Sequence, residues 1–533
     1  MHTDPTSTVY IVAGLTALFF WIPAIFMTLK RDLMMFQQNS YRPERYTRWA
    51  SQTGESTTVT RCFYLFATFF LLVPMIPFII SAPVAALIAI WFTLSLLKAK
   101  YKKPLVFTQR AKRLMSVALS LSAIIVAIAW ILAGLKGACI VAYALLFLSQ
   151  FILLTAYSIL IPVEKSINKK YYDDAASILK SMPDLKIIGI TGSYGKTSTK
   201  HYLQRILSEK YETLMTPGSY NTTLGVVRTI REYMKPYTEV FIVEMGAKQP
   251  GDIKEICDLV HPQAAIITAV GEQHLETFKT IENVQRTKFE LFDSLPSDGV
   301  AVINNDFAMI ASRPTANGPQ TIRYAISDTI GCDVTAKDIE YDRRGSSFTY
   351  VGPTGEIRFR TPLVGQCNIS NLLAAISLAI KLDVPVEKIK YAVETMEQVE
   401  HRLNMKHTPG GLTIIDDAFN SNPDGSRMAL EVLANMTGGS RIIITPGMIE
   451  LGDRQEELNN LFGQRIAKSA DIAIVVGQYN RDAISEGIKA VESFNTDNLY
   501  IVNSFAEAQQ LLLSLAKPGD TVLYENDLPD TFK

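Results

Sequence analysis

The chain has 533 residues, 52 Lys and Arg balance 52 Asp and Glu, and 48% of it is apolar. That length allows three or four domains at roughly 100–200 residues each. The apolar content excludes a mainly disordered protein, and 30 Gly with five Cys exclude collagen and a disulfide scaffold. The zero net charge conceals a split: residues 1–165 hold 15 basic against 5 acidic side chains, and the remainder holds 37 against 47. A basic, apolar segment of +10 therefore precedes an acidic one of −10. Cys62, Cys139, Cys257, Cys332 and Cys367 form no C-x-x-C pair, which suits a reducing compartment and argues against zinc.

The first 165 residues predict an α-helical transmembrane bundle of about five helices. Val9–Leu29 is uncharged and long enough to span ~30 Å of hydrocarbon. It lacks a basic leader and runs straight into Lys30-Arg31, unlike a cleaved signal peptide. The uncharged run Cys62–Leu97 is broken by Pro74, Pro77 and Pro83 and predicts two short helices, 62–80 and 83–97. Leu114–Leu135 and Gly137–Val163 predict two more, separated at Lys136, and no ionisable residue is expected deep in a span. Residues 30–61 carry six Lys/Arg and 98–113 carry seven. The positive-inside rule puts those loops in the cytoplasm, Met1 outside and everything after Glu164 inside, as in a plasma-membrane protein. Their place between spans points to topology and membrane lipid contact, and not to nucleic acid.

Beyond Tyr171, short apolar runs alternate with amphipathic helices, the pattern of an α/β fold. The strand Lys186–Thr191 leads through Gly192-Ser193-Tyr194-Gly195-Lys196-Thr197 into a helix with apolar Leu203, Ile206 and Leu207. Such a turn aims backbone N–H groups and a helix N-terminus at phosphate oxygens; Lys196 can reach the β/γ-phosphates and Thr197 can hold Mg²⁺. Ile190 stands where the full eight-residue loop has its first glycine, so a plain strand–turn–helix is the alternative. The strand Glu239–Val243 ends at Glu244, a carboxylate where a nucleotide-bound metal is often held. Ala265–Val270 leads to His274 at a second strand end. Further strands are expected near Ile442–Ile444, Ile472–Val476, Leu499–Val502 and Thr521–Tyr524.

Together these residues resemble the Mur ligase family, ATP-dependent amide-forming enzymes of cell-wall precursor synthesis. The resemblance rests on GITGSYGKTSTK (189–200), TPGSYNTTLG (216–225), VEMGAKQPGDI (243–253), GEQHLETF (271–278), VQRTKFELFDSLP (284–296), GQCNISNLLAA (365–375), HRL (401–403), DDAFNSNPDGS (416–426) and GMIELG (447–452). GKTSTK, TPG and DDAFNSNPD are similar to the MurF branch, which joins D-Ala-D-Ala to a UDP-muramoyl tripeptide. The resemblance implies a central P-loop ATPase domain at 166–400 and a C-terminal Rossmann-like domain at 401–533, after a membrane domain at 1–165. It implies ATP and Mg²⁺ as cofactors, with Gly192, Ser193, Tyr194, Gly195, Lys196, Thr197 and Ser198 around the phosphates. It implies Thr197, Glu244 and His274 as metal ligands, joined by Lys288 as a carbamylated lysine. Asn371 would lie beside adenine, Arg402 on phosphate and Asp417 on the ribose. Asn221 and Thr222 become substrate candidates, and Asn420 and Asn422 would meet the incoming amino acid or dipeptide.

Three departures qualify the resemblance. Cys367 replaces the His of the family's G-x-H-N segment, and Glu525-Asn526 stand where similar chains read Lys-Gly. The family's N-terminal UDP-sugar domain has no counterpart, since only about twenty residues separate the last expected span from the loop strand. A lipid-linked glycopeptide acceptor is the expectation that follows. A membrane-bound poly-γ-glutamyl ligase and an inactive nucleotide-binding scaffold remain as alternatives.

Overall fold

The computed structural model describes residues 5–54, 58–101, 103–316, 318–327, 329–342, 345–418 and 421–527. The chain divides into two compact units, which meet in sequence between Asn168 and Lys169.

The first unit is helical: Pro5–Gln38, Pro43–Gln52, Val59–Leu72, Phe78–Lys98, Gln109–Phe147 and Ser149–Lys180, the last continuing into the second unit. Four of these, from Ser7, Phe78, Gln109 and Ser149, are long and apolar enough to cross a membrane. The expected second span ends early, at Leu72, and its 14 residues reach only about 21 Å. The break falls at residues 73–77, at Pro74 and Pro77, whereas Pro83 stays inside Phe78–Lys98 and forfeits a single N–H there. Gly134, with φ 67° and ψ −168°, interrupts Gln109–Phe147 two positions before the expected Lys136, in a conformation open to a residue without Cβ. Small residues such as Ala17, Ala85, Ala89, Ala118 and Ala142 are fully buried and let the helix backbones approach closely.

The stretch 30–61, expected as a basic loop, is largely helical, and two of its charges are interior. Asp32 and Arg61 are each 2% exposed. Arg61 Nη2 donates to Asp32 Oδ1 at 2.5 Å and the Ser149 hydroxyl donates to Oδ2 at 2.5 Å. Arg61 Nη1 donates to the Phe147 carbonyl at 3.1 Å and to Ser149 Oγ at 3.0 Å. Both residues lie near helix ends, beyond the expected spans, and are stabilised there as a hydrogen-bonded pair.

The second unit holds two sheets. The larger comprises β1 (Lys186–Thr191), β2 (Thr213–Met215), β3 (Val240–Glu244), β4 (Ala264–Ile267), β5 (Val300–Asn304), β6 (Gln320–Ala325), β7 (Val334–Asp342), β8 (Gly345–Gly352) and β9 (Gly355–Thr361). Its order is β2-β3-β1-β4-β5-β6-β7-β8-β9, parallel as far as β7 and antiparallel beyond. β1 shows why the centre is continuous apolar sequence: Ile187 packs into one core while Ile188 and Ile190 pack into the other. The chain leaves β1 for β2 and β3 on one side and returns to β4 on the other. That reversal opens a crevice beyond the strand ends, where open α/β sheets bind ligands.

The second sheet comprises β10 (Asn404–His407), β11 (Thr413–Asp417), β12 (Arg441–Thr445), β13 (Ile472–Val476), β14 (Leu499–Val502) and β15 (Thr521–Glu525), in the order β10-β11-β15-β12-β13-β14. Only β10 runs antiparallel, and the four strands expected from the sequence are β12 to β15.

Candidate active site

The turn after β1 is held in shape by its neighbours. Gly195 has φ 78°, and a Cβ there would lie 2.5 Å from Asn371 Oδ1, so both backbone and space demand glycine. The Ser193 hydroxyl donates to the Gly271 carbonyl and accepts its N–H, both at 3.0 Å. Thr268 donates its hydroxyl to the Tyr194 carbonyl. Lys196 opens the helix Lys196–Leu207 and folds its ammonium onto the Gly192 carbonyl at 2.5 Å. Desolvation pulls that ammonium down to about 8, with Glu244 opposing the shift and Arg402 adding to it.

Glu244, at the end of β3, is 1% exposed. Its Oε1 accepts the Asn221 amide at 3.1 Å, and Lys200 Nζ lies 3.0 Å from Oε2. Lys200 also donates to the Gly218 carbonyl at 2.6 Å, which ties the 216–222 turn to the phosphate loop's helix. Burial works against the Glu244 carboxylate, but Lys200 and Lys196 outweigh it and hold the group below its ordinary range. Lys200 went unassigned in the sequence, although it follows Lys196 by one helical turn and so shares its face.

Lys288 lies on the helix Ile281–Asp293 and is 1% exposed. Desolvation drives its amine well below the ordinary lysine range, and the Lys196 charge adds to that while Asp252 and Glu290 oppose it. His274 also feels the Lys288 charge; burial lowers its imidazole against the pull of Glu450. Its Nδ1 is hydrogen-bonded to Glu450, from the turn after β12. Among the described residues no three His, Cys, Asp or Glu gather into a cation cage. Glu244 and His274 offer one buried carboxylate and one imidazole, donors that fit a Mg²⁺ bound mainly through phosphate oxygens and a few protein ligands.

The other wall comes from the second sheet. A cleft lies between Tyr194, Ser198 and Asn371 on one side and Arg402, Asp417 and Glu525 on the other. His401 and Leu403, with φ 57° and 48°, flank Arg402, and the Leu403 N–H donates to Asp417 Oδ1 at 3.2 Å. Asp417 and Glu525 are register partners on β11 and β15. Burial is the main reason Asp417 is pushed up to about 6, against the pull of Arg402 and a hydrogen bond with Glu525, and burial with the Asp417 charge holds Glu525 well above a carboxylate's usual range. The Ser421 hydroxyl donates to Glu525 Oε1 at 2.5 Å.

The remaining candidates are placed as follows. Gly192 and Thr197 belong to the loop and the start of its helix. Thr222 and Asn422 use their side-chain oxygens to cap helices, accepting from Gly225 at 3.3 Å and from Gly425 at 3.0 Å. Asn420 lies outside the described residues. Cys367 lines the cleft as a neutral thiol, pushed up to about 12 chiefly by burial. Asn526 has φ 68°, a conformation that Gly and Asn tolerate best, and donates to the Gly447 carbonyl at 2.6 Å.

Comparison with known proteins gives matches over most of this unit. Residues 190–379 match the Mur ligase middle domain, and residues 401–524 match the Mur ligase, glutamate ligase domain. The UDP-N-acetylmuramoyl-tripeptide–D-alanyl-D-alanine ligase of Escherichia coli K12 is 30% identical over 358 residues, 66% of this chain and 78% of that one. The enzyme of the same name from Bacillus subtilis 168 is 29% identical, covering 64% and 72%. The crystal structure of MurF from Acinetobacter baumannii superposes with a TM-score of 0.61 at 28% identity, over 67% of this chain and 77% of that one. MurF from Thermotoga maritima in complex with ADP shares the fold, with a TM-score of 0.61 at 24% identity over 68% and 80%.

Proposed function

The chain belongs to the Mur ligase family and is an ATP-dependent ligase, and on that premise we propose that it extends a muramoyl peptide with D-Ala-D-Ala or a similar amine at the cytoplasmic face of a membrane. The observation that carries this reading is the convergence of charge between the phosphate loop and the second sheet. Lys196, Glu244, Arg402 and Asp417 each perturb a neighbour in that set, and the phosphate loop and the second sheet supply the two walls.

The chemistry assigns work to each wall. The acceptor carboxylate oxygen attacks the γ-phosphorus of ATP, the bond to ADP breaks, and an acyl phosphate forms. Lys196 and Arg402 place positive charge where phosphoryl charge accumulates, the largest stabilisation available to this reaction. The amine nitrogen then attacks the acyl carbon, gives up a proton, and the tetrahedral intermediate expels phosphate. Asn371 and Asp417 orient the nucleoside, while Asn221, Thr222 and Asn422 border the acceptor and amine. Mg²⁺, which the family's enzymes use, supplies charge neutralisation on the phosphate oxygens; Thr197, Glu244, His274 and Lys288 are the residues that would hold it. A lysine whose burial favours the neutral amine is the form that adds CO₂, so Lys288 is suited to a carbamate.

The four long apolar helices support a membrane-held enzyme with a lipid-linked acceptor. The test is ATP-dependent phosphate release by the full chain in detergent, over a panel of amines with UDP-linked and lipid-linked muramoyl peptides. Release with D-Ala-D-Ala and a lipid-linked acceptor, lost in Lys196→Ala and Lys288→Ala, is expected. Equal rates with a soluble UDP-linked acceptor would remove the lipid-linked part of the reading.

A further inference from the structure

Glu450 has no role in the scheme above, yet it joins the two walls of the site. It follows β12 in the second sheet's domain, and its Oε2 engages Nδ1 of His274, beside the phosphate loop. Its carbonyl accepts the Glu276 N–H at 3.3 Å, and Lys248 Nζ lies 3.6 Å from Oε1. The His274 and Glu450 side chains are only 13% and 12% exposed. A carboxylate can only accept, so Nδ1 carries the hydrogen and Nε2 carries the lone pair. Metal-binding imidazoles are characteristically held this way, by a carboxylate on the far nitrogen.

We propose that Glu450 is a positioning residue that fixes His274 with Nε2 as its metal-binding nitrogen, so that cation binding and the meeting of the two domains are coupled. This rests on the reading of His274 as a metal ligand. Because the carboxylate comes from the other domain, the imidazole is held only when the domains are together. Reciprocity then requires that a cation at His274 favour the joined arrangement by the same factor.

The test titrates Mn²⁺ into the full chain with ADP in detergent and follows free Mn²⁺ by electron paramagnetic resonance. Glu450→Ala should weaken Mn²⁺ binding by roughly 10–100-fold, and Glu450→Gln, which retains an acceptor and the side-chain shape, by less. In a His274→Ala background the Glu450→Ala change should add nothing, since the two act as one unit. Labels on the two domains should move together when Mn²⁺ and ADP are added to the parent chain and not in Glu450→Ala. Unchanged affinity in folded Glu450→Ala, or losses that add in the double variant, would overturn the proposal. Arg454→Ala, which removes a different cross-domain pair, Arg454 with Glu272, should weaken binding by less than Glu450→Ala, and an equal loss would overturn the positioning of His274 by Glu450. Full Mn²⁺ affinity in His274→Ala would instead sink the metal reading beneath it.

Discussion

Among the described residues, each unit of the molecule buries a close carboxylate–cation pair, Asp32 with Arg61 and Glu244 with Lys200, and the two differ in what remains of the carboxylate. In the helical unit both Asp32 oxygens accept hydrogen bonds near 2.5 Å, and Arg61 and Ser149 close the network around them. In the ligase unit Glu244 is met by Lys200 on one oxygen and by a neutral amide, Asn221, on the other. The amide is exchangeable for a cation at little electrostatic cost, and the pair stands at a strand end beside a cleft. Burial of charge does not by itself mark a working site; the replaceability of its neighbours does.

The comparison breaks first at Asp32. Asp32→Ala should leave Arg61 uncompensated and destabilise the helical unit by about 3–5 kcal/mol, whereas Asp32→Leu with Arg61→Met should be near neutral and keep ATP turnover. Thermal unfolding in detergent, with phosphate release alongside, checks both. The corresponding pair swap at the other site, Lys200→Met with Glu244→Leu, should leave a folded chain whose phosphate release is down by roughly 10²–10³-fold. If that variant turned over normally, the two pairs would be equivalent and the distinction would fall. Lys288→Ala should abolish a carbamate carbon signal that ¹³C-bicarbonate raises in the parent chain, and cost on the order of 10² in rate. The smallest effect is a pH dependence at Asp417 and Glu525. Both folded-state values lie above the ordinary ~4, Asp417 at about 6, so the folded chain binds protons more tightly and stability falls as pH rises from ~4 through the Asp417 value and beyond. Glu525→Gln should therefore be more stable than the parent at high pH and lose that advantage as pH falls below the ordinary carboxylate range of ~4, read from melting profiles across the range.

Local sequence carried the framework well. β1 and β12 to β15 follow from short apolar runs, and the phosphate turn follows from glycines between a strand and an amphipathic helix. Polar partnerships across long separations were not legible. Glu450 meets a histidine 176 positions earlier, and Arg61 meets an aspartate 29 positions earlier through a fold that periodicity does not specify. The antiparallel extension β7 to β9 escaped notice because its outward residues, such as Lys337, Glu340, Glu356 and Arg358, dilute the apolar signal with cross-strand ion pairs. The helix boundaries in the first unit moved for a simpler reason. Proline and glycine mark permitted breaks, and packing decides that Pro74, Pro77 and Gly134 are used while Pro83 is not.

The pinning of the phosphate turn has a consequence in time. Ser193, Thr268 and Asn371 shape the loop from three directions through the protein's own groups. A nucleotide arriving there has no segment to order, so its first encounter should be fast, single-exponential and linear in concentration. The slower phase belongs to the opposite wall, whose Arg402 and Asp417 are carried on another domain. Stopped-flow traces should therefore separate into a concentration-dependent docking step and a concentration-independent one that sets the pace of each catalytic cycle.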